Sequence, residues 1–214
     1  MIFNYKYTDV KTQIFKHHNK LIKESGTDID LALFGDSITE AFDLNRYGIT
    51  NKTYINAGIG GDRLPYMYER IERDILSHQP KEVIFMGGVN DLRAWYFEEG
   101  NTLKDIDSLV EHTMKYIDLI VKKLTANKII VKLCTITCNF EADTNFEYTN
   151  AIINILNENI ANYAQENNVV LIDYNQVLQT EYGFMNMSLS NDGLHPNEYG
   201  YIKMCELIQE HLIK

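Results

Sequence analysis

The sequence predicts an α/β protein, a three-layer α/β/α sandwich around an open parallel sheet of about five strands. Short apolar runs alternate along the chain with longer segments whose apolar residues recur at the helical period. The runs are almost continuously apolar, which is typical of strands buried on both faces and therefore covered by helices on both sides. Because no linker, repeat or low-complexity tract interrupts this pattern, residues 1–214 are expected to form a single domain.

The expected strands are short and are separated by helix-length segments. They comprise residues 29–34, 53–57, 83–86, 129–136 and 169–172. The expected helices keep their apolar residues on one face, as in 103–124, where Ile106, Leu109, Ile117 and Leu124 follow the 3.6-residue period. These helices comprise residues 7–24, 63–78, 103–124, 147–167 and a last one opened near Pro196 and running to about residue 212.

Composition excludes several classes of protein. The chain has 20 basic and 30 acidic residues, a net charge of −10, which argues against nucleic acid and against an anionic membrane as a partner. No apolar run is long enough for stable membrane insertion, and the N-terminal residues lack the apolar core of a signal peptide. The three cysteines show no metal-binding or disulfide spacing, so a cytoplasmic protein is expected. A homo-oligomer is left open.

Two short motifs hold the residues of a nucleophilic site. Gly35-Asp36-Ser37 ends the first apolar run, and Asp192-Gly193-Leu194-His195 lies near the C-terminus. A serine hydroxyl becomes a good nucleophile when a histidine takes its proton. That histidine works best as a base when an acid fixes the orientation and tautomer of its imidazole. Ser37, His195 and Asp192 are therefore the candidate catalytic residues.

Two further motifs follow the second and third strands. Gly60-Gly61 and Gly88-Val89-Asn90-Asp91 offer a backbone N–H and a side-chain amide, the kind of donors that bind an oxyanion during acyl transfer. Ligands of open α/β sheets bind beyond the carboxyl ends of the strands. Ser37, Gly61 and Asn90 should all emerge at that edge, and the loop with His195 can fold over it.

These four motifs, in this order, resemble those of the SGNH hydrolases, also called GDSL-type esterases. The match covers Gly35-Asp36-Ser37, Gly61, Gly88-x-Asn90-Asp91 and Asp192-x-x-His195-Pro196, and so spans nearly the whole chain. Ile38 stands where the family usually has leucine, a mild departure. The resemblance implies a flavodoxin-like strand order of 2-1-3-4-5.

The resemblance also implies roles for the site residues. Ser37 would attack an ester carbonyl, His195 would serve as its base, and Asp192 would orient the imidazole. The oxyanion would be bound by the N–H groups of Ser37 and Gly61 and by the Asn90 amide, with no metal or organic cofactor. Asp36 and Asp91 are expected to support their turns.

Three residues near the motifs are candidates for substrate binding. Arg63 and Arg93 follow two of the motifs, and Trp95 is the only tryptophan. Surface salt bridges are an equally good interpretation of the two arginines, and packing under a loop is an equally good interpretation of Trp95. Ser37 alone could also be a helix cap and Asp192 a turn cap. The remaining histidines are interpreted as solvated or structurally satisfied; they are His17, His18, His78, His112 and His211.

The substrate is less constrained than the reaction. The sequence contains no long apolar insertion that could form a lid. This favours short acyl esters, acetyl above all, and an O-acetylated carbohydrate as the small-molecule substrate. The alternatives within the family are a lysophospholipase or thioesterase and an enzyme like platelet-activating-factor acetylhydrolase. A sugar O-acyltransferase using the same residues, and an inactive binding module, are further alternatives.

Overall fold

A computed structural model describes residues 17, 20–49, 51–141 and 145–212 of the chain. The predicted N-terminal helix, 7–24, lies mostly outside the described residues. Of its described part, residues 20–24 are helical, as is residue 25. Among the described residues, no helix is long and apolar enough to cross a membrane.

The sheet is parallel throughout and has the predicted order, β2-β1-β3-β4-β5. Its strands span Leu31–Gly35 (β1), Tyr54–Gly58 (β2), Glu82–Phe85 (β3), Ile130–Cys134 (β4) and Val170–Ile172 (β5). The α/β sandwich and its strand order are therefore confirmed. Each strand lies within one or two residues of its prediction because continuous apolar runs mark doubly buried strands well.

The helices cover both faces of the sheet. They span Ser37–Glu40 (α1), Leu64–Asp74 (α2), Val89–Arg93 (α3), Ile106–Ala126 (α4), Phe146–Glu166 (α5), Tyr174–Leu178 (α6) and Glu198–His211 (α7). The short helices α1, α3 and α6 follow strand ends and have too few residues to show a period, so the sequence did not predict α3 and α6. The last helix begins after Asn197, whose side chain accepts the N–H groups of Tyr199 and Gly200, rather than at Pro196.

Side chains from alternate strand positions enter two separate cores. Ala32 and Phe34 of β1 pack with apolar residues of α2, α4 and α5, whereas Leu31 and Leu33 pack with those of α6 and α7. The alternation follows from the two-residue period of a strand. Apolar contacts on both faces hold the sheet, so the strand ends form a fixed edge from which the site loops emerge.

β4 ends at Cys134, although the apolar run predicted a strand to residue 136. The N–H of Thr135 still bonds the Ile172 carbonyl oxygen of β5 at 3.1 Å, but from Ile136 onward the backbone bonds to side chains of neighbouring helices. The Asn157 amide of α5 accepts the N–H of Ile136 at 2.7 Å and donates to its carbonyl oxygen at 2.7 Å. Buried backbone groups need such partners. Residues 135–138 are buried in a loop and do not extend the strand.

Candidate active site

Ser37 is the first residue of α1, directly after β1. The residue that caps this helix is Asp36, whose Oδ1 accepts the N–H of Ile38 at 3.0 Å. The interpretation of Ser37 as the cap is therefore wrong, and the expected role of Asp36 in fixing the turn is confirmed. The Asp36 carboxylate thus fixes the turn, and the Ser37 hydroxyl points to the loop that precedes α7.

Ser37, His195 and Asp192 form one hydrogen-bonded chain. Ser37 Oγ lies 3.0 Å from His195 Nε2, and His195 Nδ1 lies 2.7 Å from Asp192 Oδ2. A proton on Nδ1 is then directed at the carboxylate, which leaves Nε2 to accept the serine hydrogen. This geometry can generate a serine nucleophile at neutral pH.

Asp192 orients its loop as well as the imidazole. Its Oδ1 accepts the N–H groups of Leu194 at 2.9 Å and His195 at 2.8 Å, so the capping and orienting roles coexist. Partial burial acts to raise the pKa of Asp192, but the hydrogen bonds from His195 and Leu194 outweigh it and lower the pKa to about 2. Asp192 therefore stays ionised across the range in which a histidine titrates.

The loop that carries Asp192 and His195, residues 190–196, is called the histidine loop here. It is hydrogen-bonded to the segment after β4. Phe140 donates its N–H to the carbonyl oxygen of Gly193 at 2.7 Å. Gly193 has φ +81°, and a Cβ placed there would lie 2.3 Å from the Phe140 carbonyl oxygen. Only glycine permits both this backbone conformation and this close approach. The glycine between Asp192 and His195 is thus required by the docking of the loop.

The candidate oxyanion donors lie on the turns after β2 and β3. Gly61 has φ +78°, and a Cβ added there would meet no atom within 4 Å, so the backbone borders open space. Asn90, on α3, donates one amide hydrogen to the carbonyl oxygen of Asp62 at 3.0 Å. Because an amide nitrogen carries two hydrogens, this bond fixes the side chain and leaves a second donor.

The buried side chain of Arg70, on α2, links the loops of the site through hydrogen bonds. Its guanidinium donates to the carbonyl oxygens of Gly35 at 3.0 Å and Ala57 at 2.8 Å, at the ends of β1 and β2. It also bonds Asp62 at 2.6 Å and Asp74 at 3.2 Å. Arg70 is only 7% exposed, and so these bonds form away from water. One side chain therefore fixes the strand ends that precede Ser37 and Gly61.

A small void lies beside the nucleophile turn, and it is too narrow to admit a water molecule. Its lining residues are Asp36, Met86, Gly87, Val89, Ile136 and Thr137. Asp36 is fully buried, and its Oδ2, like Thr137 Oγ1, has no hydrogen-bond partner within the described residues. Burial raises the pKa of Asp36 to about 7, and the nearby carboxylates of Asp62 and Asp91 act in the same direction.

The three candidate substrate-binding residues lie in different environments. Arg63 forms an ion pair with Glu98 at 2.6 Å, and Arg93 one with Glu141 at 2.5 Å. Trp95 is 5% exposed and donates its indole N–H to Ser108 Oγ at 3.1 Å. The salt-bridge interpretation of the arginines and the packing interpretation of Trp95 thus agree with the structure. Trp95 cannot stack on a ligand because its ring belongs to the core under α4.

Three residues near the site were not singled out by the sequence. From the sequence, His112 is interpreted as solvated or structurally satisfied, and Phe140 lies among ordinary loop residues. Arg70 directly precedes Ile71, next to the apolar face of its helix, and this placement of a charged residue is the signal that could have indicated its burial. Within the described residues, no group of His, Cys, Asp and Glu side chains could hold a metal ion.

A serine–histidine–aspartate chain at the carboxyl edge of a parallel sheet, with amide and backbone donors on adjacent loops, is an arrangement that can support nucleophilic attack on a carbonyl group. The sequence profile of the GDSL-like lipase/acylhydrolase family matches residues 33–202, and the protein belongs to this family.

Three similar proteins give a more detailed comparison. An acetylxylan esterase of Xylanibacter ruminicola is 24% identical over 91% of this chain and 47% of its own length. An N-acylneuraminate cytidylyltransferase of Escherichia coli O18:K1:H7 is 28% identical over 97% of this chain and 46% of its own length. The chain thus spans about half the length of these curated relatives. The crystal structure of an acetyl xylan esterase, 28% identical, superposes with a TM-score of 0.69 over 86% of this chain and all (100%) of that one.

The buried Asp36 predicts a specific dependence of stability on pH. The folded protein keeps the Asp36 proton up to a pKa of about 7, whereas an unfolded chain releases it near 3.8. Since the native state binds more protons between these values, the free energy of unfolding should fall as pH rises from 4 to 7 and then level off. At about 1.4 kcal/mol per pKa unit, the loss is up to about 4 kcal/mol.

Asp36→Asn mimics the protonated acid and should remove this loss. Urea unfolding at pH 4.5, 6 and 8 should therefore show that the free energy of unfolding of the variant rises relative to that of the wild-type protein as pH rises. Asp192 does not interfere, because its lowered pKa affects stability only below its ordinary value near 3.8. Parallel pH profiles for the two proteins would show that Asp36 is ionised in the folded state throughout this range.

Arg70→Met should destabilise the fold strongly. The variant leaves the buried carboxylates of Asp62 and Asp74 without this cation, and breaking a buried ion pair typically costs about 3–5 kcal/mol. Arg46→Met is the matched control, because Arg46 pairs with Glu198 at 3.4 Å on the surface and such pairs contribute at most about 1 kcal/mol. Urea unfolding of both variants measures the difference, and equal losses would contradict the role given to Arg70.

Proposed function

We propose that this protein hydrolyses carboxylic esters through a covalent acyl-enzyme. The observation that carries the proposal is the continuous chain of hydrogen bonds from Ser37 Oγ through His195 to Asp192. His195 takes the serine proton as the hydroxyl attacks the ester carbonyl, and then protonates the leaving alcohol. Water repeats the sequence and releases the acid. Asp192 holds the imidazole and balances its positive charge.

The proposed oxyanion hole comprises the N–H groups of Ser37 and Gly61 and the Asn90 amide. Two features support Asn90 in particular. Its amide is held by the Asp62 carbonyl oxygen, so it is oriented before substrate binds. It also lies on the turn after β3, beside the turn after β1 that carries Ser37. Donors fixed in advance stabilise developing charge without a reorganisation cost.

We propose an O-acetylated carbohydrate as the substrate class. The similarity to two acetylxylan esterases, at 24% and 28% identity, supports an acetyl ester of a sugar. Since Trp95 is buried, the aromatic surface for a sugar ring has to come from elsewhere. Phe140 is 38% exposed and is bonded through its backbone to the histidine loop, which makes it the better candidate.

We propose acetyl as the preferred acyl group. The two acetylxylan esterases to which the chain is similar support this choice. Within the described residues, the void beside the nucleophile turn is too narrow for a water molecule, and its lining includes the polar groups of Asp36 and Thr137 as well as Met86, Val89 and Ile136. A long chain would need a continuous apolar surface to bury its methylenes, and this void offers none.

We propose that the protein is cytoplasmic, and the basis is that its cysteines are free thiols. Cys134, Cys138 and Cys205 are free and buried in the core shared by α6 and α7. Burial raises the pKa of Cys138 to about 12, which disfavours the reactive thiolate. Thiols of this kind fit a reducing compartment. Detection of the natural protein in a cytoplasmic rather than an exported fraction tests this assignment.

Ser37→Ala should abolish ester hydrolysis without unfolding the protein. The change removes the nucleophile, a partly buried hydroxyl, and no core volume, and triad knockouts lower kcat roughly a thousandfold or more. Ser77→Ala, which removes an exposed hydroxyl bonded to the Arg73 carbonyl oxygen, is the control and should keep full activity. A serine-directed phosphonate should label Ser37 in mass spectrometry. Turnover near that of the wild-type protein would rule out the mechanism.

The acyl preference predicts falling kcat/KM with chain length. In a series of p-nitrophenyl esters from acetyl to dodecanoyl, acetyl should be cleaved best, since a longer chain finds no apolar channel. An enzyme for long chains would instead gain up to about 0.8 kcal/mol for each methylene it buries. A maximum at octanoyl or beyond would favour a lysophospholipase or thioesterase. With sugars added as acceptors, the ratio of free acid to acylated sugar among the products separates hydrolysis from acyl transfer.

A further inference from the structure

The carboxylate of Asp91 lies at the junction of three helices. It follows Asn90 on α3 and is almost entirely buried. Its Oδ2 accepts the N–H of Leu64, the first residue of α2, at 3.0 Å. Its Oδ1 lies 3.0 Å from Nε2 of His112, on α4. The four oxygen lone pairs of a carboxylate can thus bind α2 and α4 at the same time.

The bond between Asp91 and Leu64 links the two turns of the proposed oxyanion hole. Leu64 N–H is one of the donors at the start of a helix that have no partner within it, and the turn with Gly61 runs directly into this helix. Asn90 is the chain neighbour of Asp91. The Asp91 carboxylate, together with the bond from the Asn90 amide to the Asp62 carbonyl oxygen, therefore sets the spacing between the Gly61 turn and the Asn90 amide.

His112 is the residue that holds the other oxygen of this carboxylate. Because an ionised carboxylate can only accept, His112 Nε2 carries the hydrogen in this bond. The ring of Tyr116, one turn further along α4, lies 5.1 Å from the imidazole ring and limits its movement. The His112 side chain is 40% exposed, so its replacement leaves little empty volume in the core.

We propose that His112 is a positioning residue for the oxyanion hole. Its Nε2–H fixes the Asp91 carboxylate in the orientation that accepts Leu64 N–H, and the fixed carboxylate holds Asn90 at the correct distance from Gly61. His112 itself touches no substrate. This inference rests on the proposed function, since it assigns Asn90 and Gly61 to the binding of an oxyanion.

Loss of His112 should therefore affect the rate of the chemical step more than substrate binding. Without Nε2–H, one buried oxygen of Asp91 has lost its partner, and a buried acceptor in this state drives the carboxylate to turn towards another donor. The bond to Leu64 weakens, and Asn90 shifts with it. Donors have to be held within about 0.5 Å of the productive geometry to stabilise an oxyanion, and the oxyanion forms only after substrate is bound.

The test compares His112→Ala with His112→Gln. The glutamine amide nitrogen reaches about as far as Nε2 and can donate to Asp91, whereas alanine cannot. With p-nitrophenyl acetate we expect His112→Ala to lower kcat about tenfold with KM within about twofold, as for partial loss of an oxyanion donor. His112→Gln should restore most of kcat. Glu111→Ala, an exposed neighbour on the same helix, is the control and should match the wild-type protein.

A second measurement does not depend on turnover. In ¹⁵N–¹H spectra the side-chain amide signals of Asn90 should move in His112→Ala, stay near their wild-type positions in His112→Gln, and be unchanged in Glu111→Ala. If the wild-type protein cleaves no ester, the proposed function fails, and these spectra still decide whether His112 positions Asn90. Unmoved Asn90 signals in His112→Ala would overturn the inference. So would equal losses of kcat in the alanine and glutamine variants.

Discussion

The buried guanidinium of Arg70 is the interaction on which the site most depends. Buried carbonyl oxygens near the ends of the strands need hydrogen-bond donors. Arg70 donates to those of Gly35 and Ala57 at once, and Gly35 also accepts the N–H of Ile59 at 3.0 Å. The same guanidinium donates to the carboxylates of Asp62 and Asp74. Its planar array of five donors makes this possible, where a lysine would offer a single point of charge.

From Arg70 the constraints extend to each donor of the site. Asp62, held by the guanidinium, presents its carbonyl oxygen to the Asn90 amide. The Asp91 carboxylate joins the helix of Asn90 to the start of α2, the helix that carries Arg70. The turns after β1, β2 and β3 thus form one hydrogen-bonded unit. The histidine loop is held by a further contact, the bond from the Phe140 N–H to the Gly193 carbonyl oxygen, and Arg93 of α3 forms an ion pair with the adjacent Glu141.

Acidic residues near the nucleophile have opposite protonation behaviour because their surroundings differ. Asp192 accepts hydrogen bonds from His195 and from two backbone N–H groups, and its pKa falls to about 2. Asp36 is fully buried with one backbone donor, and its pKa rises to about 7. A negative charge on Asp36 would act against an oxyanion forming beside Ser37, whereas the charge on Asp192 stabilises an imidazolium. The environments therefore suit the proposed reaction at both positions.

The sequence by itself determined the sheet, its helical covering and the residues that meet at the strand ends. Continuous apolar runs report burial on two faces, and the carboxyl edge of a parallel sheet has to collect Ser37, Gly61 and Asn90 whatever the rest of the packing. Only the tertiary structure decided that Trp95 belongs to the core and that Arg70 and His112 support the site. These outcomes depend on which side chain, distant in the chain, lies opposite each polar group, and local periodicity carries no record of such pairs.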